Sequence, residues 1–520
     1  MLVSDIVRRN AACFGDADAV VVPDGRTTTW VELEERTNRL GRALQALGLA
    51  KGDRLATFLP NGGEYVDFFF ACAKTGIIGA TLNVRLTAKD LVQYLSVVEP
   101  SAVLVHAGLA DQVGWIAQVP SIRHVIGVGA DHGFPLDLEE LIAAQPSGDP
   151  GVAVDEDDVY QLGATSGTTG IPKAALLTHR NAVAAMVNWM ADTPYPELGT
   201  NLQNIPLFFN PGGPAGLNPV MMKGGRTVIF PAFEPGSFLR AIPAYGVTHT
   251  ILVPTMVGMV MAHPELGSVD VSTLMAIVLG GSPMPRELLA AAREVFGDIF
   301  FPQYGMAETY SSGATLRRED QFTEGTEAQV RRLASVGKPQ ALMQMRVVGD
   351  DGRDVPHDGT TPGEIWLAGD SLSPGYFRMP EETLAAREGR YIKTGDVATV
   401  DEEGVPTIVD RAKDIIIPGG INVFSRDIEE AFHEHPAVLP VAAIGIPHER
   451  WGEAIHAVVV LKDGATAAPE ELQAFAAERL ADYKKPRSVE VVDALPVGGT
   501  GKILKRELRA PYWEGREQAV

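Results

Sequence analysis

The chain has 520 residues, 45% of them hydrophobic and 21% charged, with 44 Lys and Arg against 66 Asp and Glu for a formal net charge of −22. That composition can bury a large core over two or more domains and argues against disordered, collagenous and coiled-coil architectures. The acidic balance argues against nucleic-acid and anionic-membrane partners, which need a positive footprint. The two cysteines, Cys13 and Cys72, form neither a disulfide framework nor a Cys-only metal site, and read as buried, reduced thiols. No apolar leader follows Met1, and the most apolar stretch, 65–82, is interrupted by Asp67 and Lys74. A cytoplasmic protein with no integral membrane segment is therefore expected.

In chain order, residues 26–30 read as a strand and 31–47 as a helix with Leu33, Leu40, Leu44 and Leu47 on one stripe. The runs 228–230, 249–253 and 276–279 read as buried strands, each followed by Gly or Pro. Strand–helix alternation of this kind predicts an α/β fold. Composition shifts near 410–422, and the last part differs: strands over 438–446 and 457–461, a helix over 469–479, and a basic tail.

The strongest local signal is Thr165-Ser-Gly-Thr-Thr-Gly-Ile-Pro-Lys173. Gly167 and Gly170 allow positive φ, so that successive N–H groups can point at one anion. Thr165, Ser166, Thr168 and Thr169 add hydroxyl donors, and Lys173 adds a charge. The loop departs from a P-loop NTPase motif, because Pro172 stands where that motif has Gly.

This loop resembles the phosphate-binding loop of the adenylate-forming superfamily, which includes acyl- and aryl-CoA synthetases, adenylation domains of peptide synthetases and beetle luciferases. Further segments resemble the family in order, over roughly residues 10–510. Gly280-Gly-Ser-Pro-Met-Pro285 is similar to its adenine-pocket segment, which implies nucleotide contacts at Gly281, Ser282 and Pro283. Gln303-Tyr-Gly-Met-Ala-Glu-Thr309 resembles the segment that implies adenine packing for Tyr304, Mg²⁺ binding for Glu308 and a phosphate contact for Thr309. Gly363-Glu-Ile-Trp-Leu-Ala-Gly369 and Gly375-Tyr-Phe377 resemble a structural segment to which no chemistry is assigned. Asp396 matches the carboxylate that binds the ribose hydroxyls, Arg411 its basic partner, and Lys413 the hinge between two half-reactions. Leu495-Pro-Val-Gly-Gly-Thr-Gly-Lys502 resembles the last motif, whose lysine serves adenylation. An ammonium there can bridge the α-phosphate and the attacking carboxylate, two groups that repel each other.

The resemblance implies a large multi-subdomain N-terminal α/β body, residues 1–412, and a small mobile α+β lid, residues 413–520. It implies ATP, Mg²⁺ and coenzyme A as cofactors, and a reaction through acyl-AMP with pyrophosphate release. Three features point to CoA as acceptor. Ala481-Asp-Tyr-Lys-Lys-Pro486 resembles the aryl-CoA ligase stretch that holds the CoA nucleotide, matching Tyr483 and Lys485. Asn83-Val-Arg-Leu86 offers Arg85 for a CoA phosphate, and Trp451 matches the same subgroup. The third feature is that little chain follows Lys502, which leaves no room for a fused carrier domain. Pro418-Gly-Gly-Ile-Asn-Val423 resembles the stretch lining the thiol tunnel, with Gly419, Gly420 and Asn422 kept, while Pro418 and Ile421 depart from the common residues.

The acyl pocket is assigned to Phe209, Asn210, Gly213, Gly280, Gly305 and Met306. Phe209 stands where the family often has His, so the gate is aromatic without a titratable group. With no placed cation or amine-holding Asp in view, an apolar acid is expected: medium-chain, aromatic or polycyclic. Loading of an acyl carrier protein is the alternative, a non-catalytic acyl-nucleotide sensor is a third reading, and a homodimer is compatible with the sequence.

Overall fold

A computed structural model describes residues 1–23, 25–165, 173–209, 219–282, 284–497 and 503–514, with the backbone alone at 327 and 328. The chain divides into two compact units. One comprises Met1–Met345 with Leu367–Lys393, and the other Arg346–Trp366 with Thr394–Val520.

The first unit is built on two largely parallel sheets. A seven-stranded sheet runs in the order Leu136–Asp137, His124–Val128, Ala102–His106, Arg54–Phe58, Ile78–Thr81, Val159–Thr165, Lys173–Thr178. A nine-stranded sheet has Ala276–Leu279, His249–Leu252, Thr200–Gln203 and Arg226–Ile229 at its centre. Parallel strands covered by helices read as continuous apolar runs, which is why 228–230, 249–253 and 276–279 were legible. Strand Ala276–Leu279 has the expected bounds, and the helix expected over 31–47 spans Trp30–Ala46. Its start follows from Thr29, whose hydroxyl accepts from the Glu32 N–H while the Glu32 carboxylate accepts from the Thr29 N–H.

Helix Gly63–Thr75 carries Phe68, Phe69 and Phe70 into a core shared with strands of both sheets. Each such ring contributes roughly 1.5–3 kcal/mol by leaving water. The same helix buries Asp67 completely, with Arg26 and Arg36 each 2.8 Å from its Oδ2. The two guanidiniums hold its carboxyl below the usual range despite the opposing effect of burial, the largest single influence. Cys72 is buried as expected, but Cys13 is exposed, because it lies on the outer face of a helix, Ser4–Phe14, that buries only Ser4, Ile6, Val7 and Asn10.

In the second unit, Val438–His448 and Gly452–Leu461 form an antiparallel hairpin, with Ser488–Val491 parallel to the second strand. The second strand begins at Gly452 rather than at 457, since pairing extends to the turn beside Trp451. Helices Ser425–His433 and Pro469–Arg479 pack on one group of core residues, and helix Lys505–Trp513 contributes Leu508 to another. Among the described residues, no helix is long and apolar enough to cross a membrane.

His179 and His249 are buried in the first unit, and burial pushes both rings down to about 4. In the unfolded chain each takes a proton near 6.5. The unfolded state thus binds more protons over this interval, so their contribution is complete above about pH 6.5 and is lost as pH falls toward 4. Unfolding free energies from urea titration should drop across that window, by up to about 3 kcal/mol per ring. His249→Gln should make the drop shallower in the same titration.

Candidate active site

In the first unit, the segments around 206–209, 280 and 304 and the strand ending at Thr165 lie at the carboxyl ends of parallel strands, where crevices in open α/β sheets bind ligands. Gly280 follows Ala276–Leu279, Tyr304 sits near the end of the adjacent Phe300–Gly305, and residues 206–209 follow Thr200–Gln203. In the other sheet, Thr165 ends a strand beside Ile78–Thr81, after which the chain reaches Arg85.

Strands Val159–Thr165 and Lys173–Thr178 are antiparallel, and Thr165 faces Lys173 directly. The proposed phosphate loop is therefore the connection of a hairpin. Its residues Ser166, Gly167, Thr168, Thr169 and Gly170 lie outside the described residues, as do Asn210, Gly213, Pro283 and Lys502.

Tyr376 is the residue that sequence reasoning missed. Its backbone bridges to Ala175 on the hairpin strand, and its ring lies 4.8 Å under the Lys173 ammonium. Its hydroxyl donates to Glu308 Oε1 at 2.7 Å. Burial, followed by the neighbouring carboxylate, pushes the phenol well above its ordinary range, so it remains a donor. One tyrosine thus joins the phosphate hairpin to the carboxylate read as the metal ligand. The signal was the Gly375-Tyr-Phe377 stretch, which had been assigned no chemistry.

Gln303, Tyr304 and Gly305 belong to a strand paired with Gly313–Thr315, not to a loop. A Cβ on Gly305 would lie 2.5 Å from the Ser311 carbonyl carbon, so this close approach admits only glycine. Tyr304 and Met306 are half-buried, and Glu308 and Thr309 are buried in the turn Ala307–Thr309. The Thr309 hydroxyl is turned inward, donating to the Met306 carbonyl and accepting from its N–H, both at 3.2 Å. Gly280 is half-buried and faces open space, whereas Gly281 and Ser282 are exposed. Phe209 is half-buried, packing edge-on against Phe208 at 4.6 Å between ring centres.

In the second unit, Asp396 and Arg411 are opposite each other on paired strands, with Arg411 Nε 3.1 Å from Asp396 Oδ1. Lys413 follows in the turn Ala412–Asp414. Gly419 donates its N–H to the Trp451 carbonyl at 2.8 Å. Gly419 and Gly420 have φ of 64° and 83°, the left-handed region that explains why both glycines are kept. Asn422 is exposed nearby in sequence. The Trp451 ring stacks on His448 at 4.5 Å and has the Arg487 guanidinium 4.6 Å from its centre. Tyr483 is 47% exposed, and Lys485 pairs with Asp482 at 2.6 Å. Arg85, in the first unit, is exposed.

The family model described as AMP-binding enzyme matches residues 7–377, and that of the AMP-binding enzyme C-terminal domain matches 427–502. The chain belongs to this family of adenylate-forming enzymes. Its acyl-CoA synthetase branch is the particular place, and the chain is an AMP-forming acid–thiol ligase. It is 36% identical over 490 residues to a feruloyl-CoA synthase of Amycolatopsis sp, covering 94% of each chain. A fatty acid–[acyl-carrier-protein] ligase of Streptomyces coeruleorubidus is 32% identical, over 95% of this chain and 93% of that one. Among solved structures, a Mycobacterium tuberculosis fatty acyl CoA synthetase is 28% identical with a TM-score of 0.79, covering 99% of each chain.

Tyr376→Phe removes a buried hydrogen bond to a charged acceptor, of a kind worth about 1.5–3 kcal/mol. Acid-dependent pyrophosphate exchange should fall roughly tenfold or more, and the unfolding free energy in urea should fall by about 1.5–3 kcal/mol.

Proposed function

We propose that the chain converts an apolar carboxylic acid, medium-chain, aromatic or polycyclic, to acyl-AMP and then to the acyl-CoA thioester. The observation that carries the CoA assignment is the Trp451 platform, a ring stacked on His448 and faced by Arg487, with Gly419 held at its backbone. Guanidiniums held over an aromatic ring suit the phosphates of a nucleotide such as that of CoA. Phe209 supports the apolar acid, since the gate offers a ring packed on Phe208 and no charge. Similarity to a feruloyl-CoA synthase and a fatty acyl CoA synthetase agrees with both parts.

In this reading the hairpin loop and Lys173 hold the ATP phosphates, with Tyr304, Gly281 and Ser282 at the base and Asp396 on the ribose. A carboxylate accepts two O–H bonds, which matches a vicinal diol, and Arg411 holds it in place. Glu308 fits Mg²⁺, because this ion is bound through one or two carboxylates plus phosphate oxygens rather than by an all-protein cage. Among the described residues there is no cluster of three or more His, Cys, Asp or Glu that would form such a cage. Bound there, Mg²⁺ would neutralise phosphate charge. Lys502 bridges carboxylate and α-phosphate during adenylation. The lid of residues 413–520 then turns at Lys413 to bring Gly419 and Gly420 toward the thiol path.

The test is pyrophosphate exchange with a panel of ferulate, benzoate, octanoate, decanoate and a bile acid, followed by acceptor assays with CoA and a holo carrier protein. Exchange with at least one acid and thioester formation on CoA are expected. Transfer to the carrier protein alone would instead favour the loading reaction named for the Streptomyces relative. Lys502→Ala should slow exchange roughly 10²–10³-fold, while supplied acyl-AMP is still converted. Equal loss of both steps would refute that role. Trp451→Ala should raise KM for CoA about tenfold and leave exchange unchanged, as expected for loss of a stacked cation–aromatic contact.

A further inference from the structure

The second unit runs back past Lys413 to Thr394, so contacts cross the proposed pivot within it. Two kinds of contact meet there. Arg509, on the helix that starts three residues after Lys502, donates to the Lys413 carbonyl at 2.6 Å and pairs with Asp414 at 2.8 Å. Both of these groups lie beyond the Lys413 Cα and move with everything that follows it. A rotation about the φ and ψ of Lys413 therefore leaves the Arg509 contacts intact.

Asp410 is on the other side of the pivot. Its carboxylate is buried and accepts from the Ser425 N–H at 2.5 Å and from the Ser425 hydroxyl at 3.0 Å. Lys505 donates to the same Ser425 oxygen and sits 2.7 Å from Glu429. The Arg426 guanidinium also reaches back across the pivot, to the Ile408 carbonyl at 2.9 Å. The Asp410–Ser425 and Arg426–Ile408 contacts join residues before Lys413 to residues after it, so no sizeable rotation at Lys413 can keep them, whereas Lys505, Ser425 and Glu429 move together.

We infer that the Asp410–Ser425 pair, backed by Lys505 and Glu429, is a latch that must open each time the enzyme passes between its two half-reactions. Arg509 confines the motion to Lys413 and carries the helix behind Lys502 with it. Asp410 and Ser425 touch no substrate in this scheme; they are positioning residues that set how long one pose lasts. The inference rests on the reading of Lys413 as the pivot.

Ser425→Ala removes the hydroxyl and leaves the backbone donor, and Asp410→Asn keeps the size while removing the charge opposite Lys505. In each variant, pyrophosphate exchange with ferulate and octanoate is compared with CoA acylation from supplied feruloyl-AMP and octanoyl-AMP. The ratio of the two rates should shift about tenfold from wild type, the effect of losing one hydrogen bond to a charged group in one pose only. In parallel, spin labels on exposed Cys13 and on an introduced Leu439→Cys report the distance between the units. The distance distribution should change in both variants. Equal loss in the two half-reactions with an unchanged distribution would mean that the cluster is merely structural and would overturn the latch. If wild type carries out neither half-reaction with either acid, the acid–CoA reading fails, and the distance measurement still decides the latch.

Discussion

The hydrogen bond from Tyr376 to Glu308 is the interaction on which the candidate site depends. It draws together three segments far apart in sequence: the hairpin that ends at Lys173, the turn that carries Glu308, and the stretch from Gly375 to Phe377. Each alone is ordinary. A lysine at a hairpin end is commonly solvated, and a glutamate in a short turn is commonly on the surface. Joined through one buried phenol, a cation over the ring face and an anion at the hydroxyl are held within reach of one residue, the pairing that the proposed triphosphate and its cation would use.

The two units divide the chemistry between them. In the proposed reading, the first supplies strand ends for phosphates and a flat base, and the second supplies Asp396 for the ribose, Gly419 and Gly420 for the thiol path and the Trp451 ring. The contacts around Lys413 separate into those that belong to one side of the pivot and those that span it. That separation can be read from the covalent order of the residues, and it says which bonds a moving enzyme must remake at every turnover.

Much of this was legible in the sequence. Strand Ala276–Leu279 and helix Pro469–Arg479 have the expected bounds, because an apolar run and a start led by Pro469 and two glutamates each fix local structure. Asp396 opposite Arg411 and Gly419 beside Trp451 show that residues chosen by motif meet in space. What was not legible depends on tertiary contact. Asp67 reads as an interruption of an apolar stretch, yet it is buried between two arginines that lie 31 and 41 residues away. Tyr376 stands in a segment without a polar signature, and Cys13 lies on a helix whose exposed face composition does not reveal.

The pairing of Thr165 with Lys173 has one more consequence, for how this chain can vary. Side chains on a strand alternate between faces, so a shift of one residue sends each to the opposite side. Strand Lys173–Thr178 is held in place by pairing with Val159–Thr165 on one edge and by the Ala175–Tyr376 bridge on the other. Adding or deleting a single residue between 165 and 173 would force either the loop or the strand to absorb the change. If the strand slipped, Lys173 would turn away from Tyr376, so the length between the two strands is constrained as well as the residues in it.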